Sequence, residues 1–317
     1  MNYAIILKRE IWEHRSAFLT TPSVLGISIL VLLVMGLILL FSGVIPYDGS
    51  RIALNAGVAE LTRLTDTELS TGWQAGFTAL TAIFNSILFI VVFFYLLGSL
   101  ADDRKDKSIL FWRSMPVTDT VTVLSKYATA AFVAPILMVA ALAATQMGLM
   151  IIATILIWLG SGSAWALVWS NANPWIIWLN LVGAYLVQAI WMAPLFGWLL
   201  LASAYSKRRP FLTAIVPIVV LSLLENWVSL LKSLNLSETF FTPFIFERLT
   251  HGPIPMSVNF KQNNDTFSMF TGDGHSLITS STSYLSLLSE PEMWIGLIIG
   301  AVFISGAIFL RRYRDDA

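Results

Sequence analysis

Charge is scarce in this chain. Only 12% of its 317 residues are Asp, Glu, Lys or Arg, whereas 56% are hydrophobic, and the mean hydropathy is +0.75. Ordinary soluble domains are about one quarter charged, and a soluble core could not enclose so much apolar surface. The composition therefore predicts a protein that crosses a membrane several times.

Cysteine is absent and histidine occurs only three times. Without cysteine, the chain can form neither a disulfide nor a thiolate metal site. The histidines are far apart, and no HExxH or GxSxG pattern occurs, which argues against an intramembrane zinc protease or a serine hydrolase. No GxxxxGK[ST] loop is present either, so the chain cannot hydrolyse ATP by that route.

The apolar runs predict an all-α polytopic membrane protein with six transmembrane helices. The predicted spans are residues 24–45, 77–100, 118–159, 174–204, 211–231 and 293–310. We expect Thr118 or Asp119 to cap the third span, and Pro135 and Pro194 to kink the third and fourth. The domain division is then an N-terminal helix at 1–20, a transmembrane domain at 21–310 and a tail at 311–317.

The distribution of basic residues predicts the orientation. Of the 19 Lys and Arg, fourteen lie in the N-terminus, the 101–126 segment, the 207–209 turn and the tail, and five lie in the segments between. By the positive-inside rule, both termini and the 101–126 segment face the cytoplasm, and the 46–76 and 232–292 segments are external. We therefore expect a location in the cytoplasmic membrane. An aromatic belt is expected at the outer side, formed by Trp158, Trp165, Trp169, Trp175 and Trp178.

The N-terminal helix is predicted to be amphipathic. Ala4, Ile5, Leu7, Ile11 and Trp12 share one side of a helical wheel, and charged residues occupy the other. Two interpretations remain open: a helix lying in the membrane interface, or a solvated helix packed on the rest of the protein.

Polar side chains inside the spans are few. Glu225, followed by Asn226, either faces protein or water within the membrane and has a function there, or lies in the wet outer interface. Asn85 and Gln188 either line a polar path or form hydrogen bonds between helices. No series of carboxylates or histidines suits a proton relay, which argues against a proton-coupled carrier.

The segment from residue 101 to residue 126, ADDRKDKSILFWRSMPVTDTVTVLSK, concentrates charge between two apolar runs. It predicts a short amphipathic cytoplasmic helix that ends at Pro116. From its residues alone, this helix either docks in a groove of a partner or rests on the membrane surface. The residues expected to bind a partner are Arg104, Lys105, Lys107, Ile109, Phe111, Trp112, Arg113, Met115 and Pro116.

The N-terminal helix, the six spans and this loop together resemble the permease subunits of ATP-binding-cassette exporters of the second type, the ABC-2 family. The corresponding positions are residues 102–107, 108–115, Pro116-Val117-Thr118 and Lys126. The resemblance implies that residues 108–115 form a coupling helix docking on a separate soluble P-loop ATPase, which binds ATP and Mg²⁺; this chain itself needs no cofactor. It implies pairing with a second copy or a sibling permease, and export of an amphipathic, lipid-like, drug or peptide substrate.

The 232–292 segment is longer than the brief re-entrant helices that often follow the fifth span in that family. Residues 239–246 are expected to be such a re-entrant piece, and the remainder a small external cap. The alternative function, from another class, is an ATP-independent carrier or lipid scramblase with the 101–126 helix on lipid. Membrane lipid is an expected partner in both cases, and nucleic acid in neither.

Overall fold

The computed structural model describes residues 3–42, 50–105, 118–206, 208–230, 241–250, 259–263, 266–270 and 282–313. Within these residues the chain is helical apart from one two-stranded antiparallel ribbon. The helical membrane fold predicted from composition is thus confirmed in its main feature.

The helices are numbered in chain order. The first half comprises α1 (Tyr3–Glu13), α2 (Thr21–Phe41), α3 (Ser50–Leu61), α4 (Asp66–Lys105), α5 (Asp119–Ala128) and α6 (Ala134–Leu159). The second half comprises α7 (Ser170–Ala172), α8 (Pro174–Trp191), α9 (Ala193–Tyr205), α10 (Pro210–Leu230), α11 (Phe241–Thr250), α12 (Thr282–Ser286) and α13 (Pro291–Tyr313). Short π-helical turns occupy Ser16–Thr20, Thr129–Val133 and Trp165–Trp169, and a 3₁₀ turn occupies Leu287–Ser289.

Among the described residues, five helical segments are long and apolar enough to cross a membrane. They are Ser16–Leu39, Asp66–Lys105, Asp119–Leu159, Trp165–Trp191 and Pro291–Tyr313. Two shorter apolar helices, Ala193–Tyr205 and Pro210–Glu225, complete the set. The predicted fifth span coincides with α10, whose apolar part ends at Glu225 and is shorter than the other five. The structure therefore supports five of the six predicted spans by length and composition.

Two ends of the helix bundle can be defined from the antiparallel packing of α4 against α5 and α6. Lys126 of α5 pairs with Asp103 near the end of α4, and Gln146 of α6 reaches the Phe77 carbonyl in its first half. We call the end at which α4 finishes and α5 begins the loop end, because residues 106–117 join them there. The opposite end, where α6 finishes, is the far end.

Helix α4 is the centre of the bundle, and α8 and α9 follow it in series. The Tyr185 hydroxyl of α8 donates to Asn85 Oδ1 at 3.4 Å. Nearer the loop end, Ser203 Oγ of α9 accepts from the backbone N–H groups of Leu100 and Ala101 at 3.1 and 3.0 Å. Helix α9 thus packs along α4, whereas α8 packs mainly on α6 and on the Thr129–Val133 turn and meets α4 through Tyr185.

The predicted cap is confirmed, and the helical pattern changes next to both prolines that were expected to kink a span. Thr118 caps α5, and its Oγ1 accepts from the Val121 N–H at 3.4 Å. The π-helical turn Thr129–Val133 lies just before Pro135, and the path of α8 and α9 breaks at Met192, just before Pro194. Proline lacks an N–H and clashes with the preceding turn, so both helices change their hydrogen-bonding pattern where the ring enters.

Small residues bring α9 and α13 into backbone contact. A Cβ added to Gly300 would lie 2.7 Å from the Ala193 backbone, and one added to Gly197 would lie 2.8 Å from the Gly300 carbonyl oxygen. Within membranes, glycine permits this approach because packing rather than hydrophobic exclusion drives helix association. The contact aligns α13 with α9 over the half of the bundle nearer the loop end.

Three of the five tryptophans of the predicted belt are exposed near the far end. Trp158, Trp165 and Trp175 are 76%, 73% and 62% exposed, whereas the indole N–H groups of Trp169 and Trp178 donate to Thr154 Oγ1 and Gln146 Oε1. The segment from Gly160 to Asn173, between the predicted third and fourth spans, contains the Trp165–Trp169 π-helical turn and α7. Its apolar WALVW run packs Leu167 and Val168 into the core.

The described parts of the 232–292 segment are α11, a β-ribbon and α12. Strands β1 (Asn259–Asn263) and β2 (Thr266–Phe270) pair antiparallel, with Asn259 opposite Phe270 and Asn263 opposite Thr266. Helix α11 overlaps the piece at 239–246 that we expected to be re-entrant. It continues to Thr250 and packs against α10.

Candidate functional site

Five charged side chains from four helices form one connected cluster at the loop end. We call it the charge network; its members are Glu10, Asp103, Asp119, Lys126 and Arg311. Lys126 Nζ lies 3.3 Å from Glu10 Oε1 and 3.5 Å from Asp103 Oδ1. Arg311 Nη1 lies 3.0 Å from Asp103 Oδ2, and its Nε lies 3.1 Å from Asp119 Oδ1. Asp103 contacts both cations, so the contacts run without interruption from α1 to α13.

The charge network is withdrawn from solvent. Lys126 is 2% exposed and Glu10 is 3% exposed, and Asp103 and Arg311 are also buried. Only Asp119 reaches the surface, with 28% of its side chain exposed. A charge taken out of water costs several kcal/mol unless it is paired and hydrogen-bonded. The side chains therefore stabilise one another, and removing one member leaves another as an uncompensated buried charge.

Helix α1 is attached to the bundle through Glu10. Ile6, one turn earlier on the same side, is buried, whereas Ile5 and Trp12 point outward and are exposed. The second Glu10 oxygen, Oε2, accepts a hydrogen bond from the Tyr95 hydroxyl at 2.9 Å. We predicted Glu10 on the polar, outward side of this helix; the structure instead turns it inward, because Lys126 and Tyr95 offer it partners there. The exposed Ile5 and Trp12 fit a helix in the membrane interface.

One guanidinium joins the two ends of the 106–117 segment. Asp103 lies in the last turn of α4, and Asp119 is the first residue of α5. Residues 106–117 themselves lie outside the described residues. Arg311, from the last helix, contacts both carboxylates. The residues on either side of the segment are therefore connected through α13, and Lys126 connects α1 to them.

The end of α4 is also tied to α9 by Arg104. Its Nη2 donates to the backbone carbonyl oxygens of Ser203 and Ser206, the latter at 2.8 Å. Lys105 pairs with Asp102 on the exposed side of the helix, at 2.8 Å. Of the residues predicted to bind a partner, the structure thus directs Arg104 to α9 and leaves Lys105 at the surface. The others, Lys107, Ile109, Phe111, Trp112, Arg113, Met115 and Pro116, lie outside the described residues.

The predicted polar residues of the spans separate into two groups. Asn85 and Gln188 come together with Tyr185 around a cavity of about 40 Å³ next to the π-helical turn and the break at Met192. That volume is enough for a water molecule or two. Glu225 is elsewhere, on α10, where its Oε2 accepts from the Thr242 N–H and hydroxyl at 2.7 and 2.6 Å. The side chain of Asn226 is not among those described.

Glu225 therefore has a specific partner rather than bulk water. The two bonds from Thr242 are those of a carboxylate that caps a helix N-terminus, here supplied by α10 to α11. Glu225 stands where the apolar part of α10 ends, and its side chain is half-buried.

A sixth notable charge, Arg248 of α11, is 3% exposed. Its Nη1 and Nη2 donate to the carbonyl oxygens of Trp191 and Glu292, and the Trp191 indole N–H donates back to the Arg248 carbonyl at 3.0 Å. Sequence reasoning placed this arginine in an external loop. The structure shows it buried, because α11 packs against the break between α8 and α9.

Sequence reasoning singled out Lys126 but not its partners. A lysine at the start of an apolar helix requires a nearby carboxylate, so its presence could have prompted a search for one. Asp103 was a candidate because it ends the neighbouring span. Glu10 and Arg311 were not, since nothing local relates the first and last helices to α5.

The chemistry of the charge network is that of a rigid junction. Within the described ranges, no group of three or more His, Asp or Glu side chains could hold a metal ion. What the arrangement can do is hold four helices in a fixed relation and transmit a displacement between them. Comparisons of the chain with models of known families, with curated proteins and with solved structures find no match.

Proposed function

We propose that this protein is the permease subunit of an ATP-driven exporter of the ABC-2 type, moving an amphipathic substrate out of the cell. The observation that supports this most is that Arg311 connects the two ends of the 106–117 segment and Lys126 links them to α1. A segment held in this way can pass a push from a partner to four helices at once. The loop end is then the cytoplasmic end, and both termini are cytoplasmic.

The energetics of the charge network support this role. Removing one partner of a buried ion pair costs about 3–5 kcal/mol. A displacement of the 108–115 coupling helix that delivers less energy than this leaves the ion pairs intact. It therefore moves α1, α4, α5 and α13 together. ATP and Mg²⁺ would be bound by the soluble ATPase subunit, and the permease contributes no hydrolytic site.

Helix α2 offers the surface for a second permease. It meets α6 where Gly26 lies against Thr145 and Leu30 lies against Gly148, and most of its remaining apolar side chains are exposed. In this proposal those side chains face lipid on one side and a second copy, or a sibling permease, on the other. The translocation path runs between the two copies, and the closing of the ATPases changes the packing of α2, α4 and α10.

The coupling helix provides the direct test. Replacing Trp112 by Ala, or Arg113 by Glu, is expected to reduce co-purification of the ATPase subunit at least tenfold, because each change removes an anchor for the partner's groove or its acidic rim. We expect insertion and thermal stability to stay normal. Trp158→Ala is the matched control, because Trp158 is exposed at the far end.

Normal retention of the ATPase by both variants would contradict the proposal. Transport or lipid scrambling in vesicles that contain this chain alone, without ATP, would support the ATP-independent carrier instead.

A further inference from the structure

Arg248 lies deep within the bundle. Trp191, whose carbonyl oxygen it contacts, belongs to the path of α8 and α9. By the rise of a helix, Trp191 is about 18 Å from Ser203 near the loop end and about 25 Å from Pro174 at the start of α8. Gly296, which the guanidinium touches, is only about 7 Å by helix rise from the start of α13, so the guanidinium lies one to two turns inside the end of that membrane-crossing helix. An arginine at such a depth is costly and usually serves a function.

The guanidinium has polar neighbours but no ion pair within 4 Å among the described residues. Its carbon lies 4.6 Å from the centre of the Trp191 ring and 4.8 Å from that of Phe244. Its two terminal nitrogens donate to carbonyl oxygens, and its Nε is buried without a hydrogen-bond partner. In the described part of the chain no carboxylate lies within ion-pair distance of it, and the exposed Glu292 acts on it only as a more distant negative charge. Carbonyl dipoles and ring faces compensate only part of a full positive charge.

The surroundings of Arg248 are built to hold it. A Cβ on Gly296 would lie 2.1 Å from Nη2 and 2.3 Å from Cζ, so the guanidinium occupies the space that a side chain would fill. Glu225 fixes the start of α11 through Thr242, and the bonds with Trp191 fix the last turn. The cation is therefore held in place by contacts from α8, α10 and α13.

We propose that Arg248 binds the anionic head group of the transported substrate, an amphiphile that carries a phosphate, sulfate or carboxylate on an apolar tail. This inference rests on the proposed export function and specifies its substrate class. An anion pairs with the edge of a guanidinium formed by Nε and one terminal nitrogen. Here Nε is unpaired. A bound anion would accept hydrogen bonds from Nε and from one terminal nitrogen, and that nitrogen would give up its carbonyl oxygen. The rings of Trp191 and Phe244 provide apolar surface beside the head group.

The competing explanation is that Arg248 only fastens α11 to the bundle. In that case substituting it lowers stability, but no anionic amphiphile stabilises the unmodified protein. The two explanations therefore differ in the response to ligand rather than in the response to mutation alone.

The test uses the full chain in a neutral maltoside detergent, with thermal unfolding followed as dodecyl phosphate is added at concentrations that leave the micelle unchanged. We expect a saturable rise of several degrees in the melting temperature. Dodecyltrimethylammonium should give no rise, and inorganic phosphate should give none either, because it lacks the tail. Absence of a shift with dodecyl phosphate, or an equal shift with the cationic detergent, would overturn the proposal.

Variants locate the effect. Arg248→Gln should abolish the shift, and Arg248→Lys should require about tenfold more dodecyl phosphate for half of it, because an ammonium lacks the bidentate edge. Arg63→Gln is the control, since Arg63 is an exposed arginine paired with Glu60, and it should respond as the unmodified protein does. If Arg248→Gln does not fold, Gly296→Ala displaces the guanidinium and keeps its charge, and it should weaken the response. An unchanged response in both Arg248→Lys and Gly296→Ala would refute the assignment.

This outcome is separable from that of the proposed function. Co-purification of the ATPase subunit depends on the loop end and should survive substitution of Arg248. A failed response to dodecyl phosphate with normal ATPase binding therefore rejects the anion site alone. If every coupling-helix variant still binds the ATPase subunit, the proposed exporter function is rejected.

Discussion

Replacing Lys126 by Met should lower the free energy of unfolding by about 3–5 kcal/mol, the cost of breaking a buried ion pair from one side. Met keeps the length of the side chain and removes the charge, so Glu10 loses its only cation among the contacts described here and Asp103 keeps Arg311 alone. We expect a much lower melting temperature in detergent and a smaller yield of folded protein. Helix α1 should also detach, because Glu10 is its polar link to the bundle.

Lys105→Met is the matched control. Lys105 pairs with Asp102, but both side chains are about half exposed, and exposed pairs contribute between 0 and about 1 kcal/mol. A second control is the double variant Glu10→Gln, Lys126→Met. Because both partners are neutral in the double variant, its loss in free energy of unfolding should be smaller than the sum of the losses in the two single variants. Equal melting temperatures for Lys126→Met and Lys105→Met would show that the charge network does not hold the loop end together.

Substituting Val for Gly300 should separate α13 from α9. The new Cβ would lie 2.7 Å from the Ala193 backbone, and backbone cannot move aside as a flexible side chain can. Overpacking of this kind costs about 1–3 kcal/mol or more. Because Arg311 lies further along the same helix, the displacement should also draw its guanidinium away from Asp103 and Asp119. We therefore expect both a lower melting temperature and a loss of ATPase stimulation, with the ATPase subunit still bound.

Gly57→Val provides the comparison, because nothing lies within 4 Å of the position a Cβ would take on Gly57 of α3. The same chemical change there should leave both the melting temperature and the ATPase stimulation nearly unaltered. If Gly300→Val retains full stimulation, the position of α13 is not needed for transmission, and Arg311 acts only in stability.

Together these variants separate three roles that overlap at the loop end. Lys126 tests whether the buried charges hold α1, α4 and α5 together. Gly300 tests whether α13 must be in place for Arg311 to join the ends of the 106–117 segment. The coupling-helix variants, Trp112→Ala and Arg113→Glu, test partner binding, which neither of the others touches. The proposed function needs all three.

The amino-acid sequence by itself determined the features that depend on neighbours in the chain. Long apolar runs specify membrane-crossing helices, Thr118 caps α5 because its side chain reaches the Val121 N–H three residues on, and Pro135 and Pro194 mark the breaks because the ring acts on the preceding turn. These effects are local, so the residues near each position are sufficient to predict them.

Only the tertiary structure decided which charges meet. Glu10 and Lys126 are far apart in the chain, as are Arg311 and Asp103, and no periodicity relates them; they pair because packing of α1 and α13 against α5 brings them within 3.0–3.3 Å. Arg248 is the clearest case. In a polar, turn-rich segment an arginine predicts exposure to water, but the partners that hold it are backbone carbonyls of Trp191 and Glu292, and carbonyl groups carry no signature in the sequence.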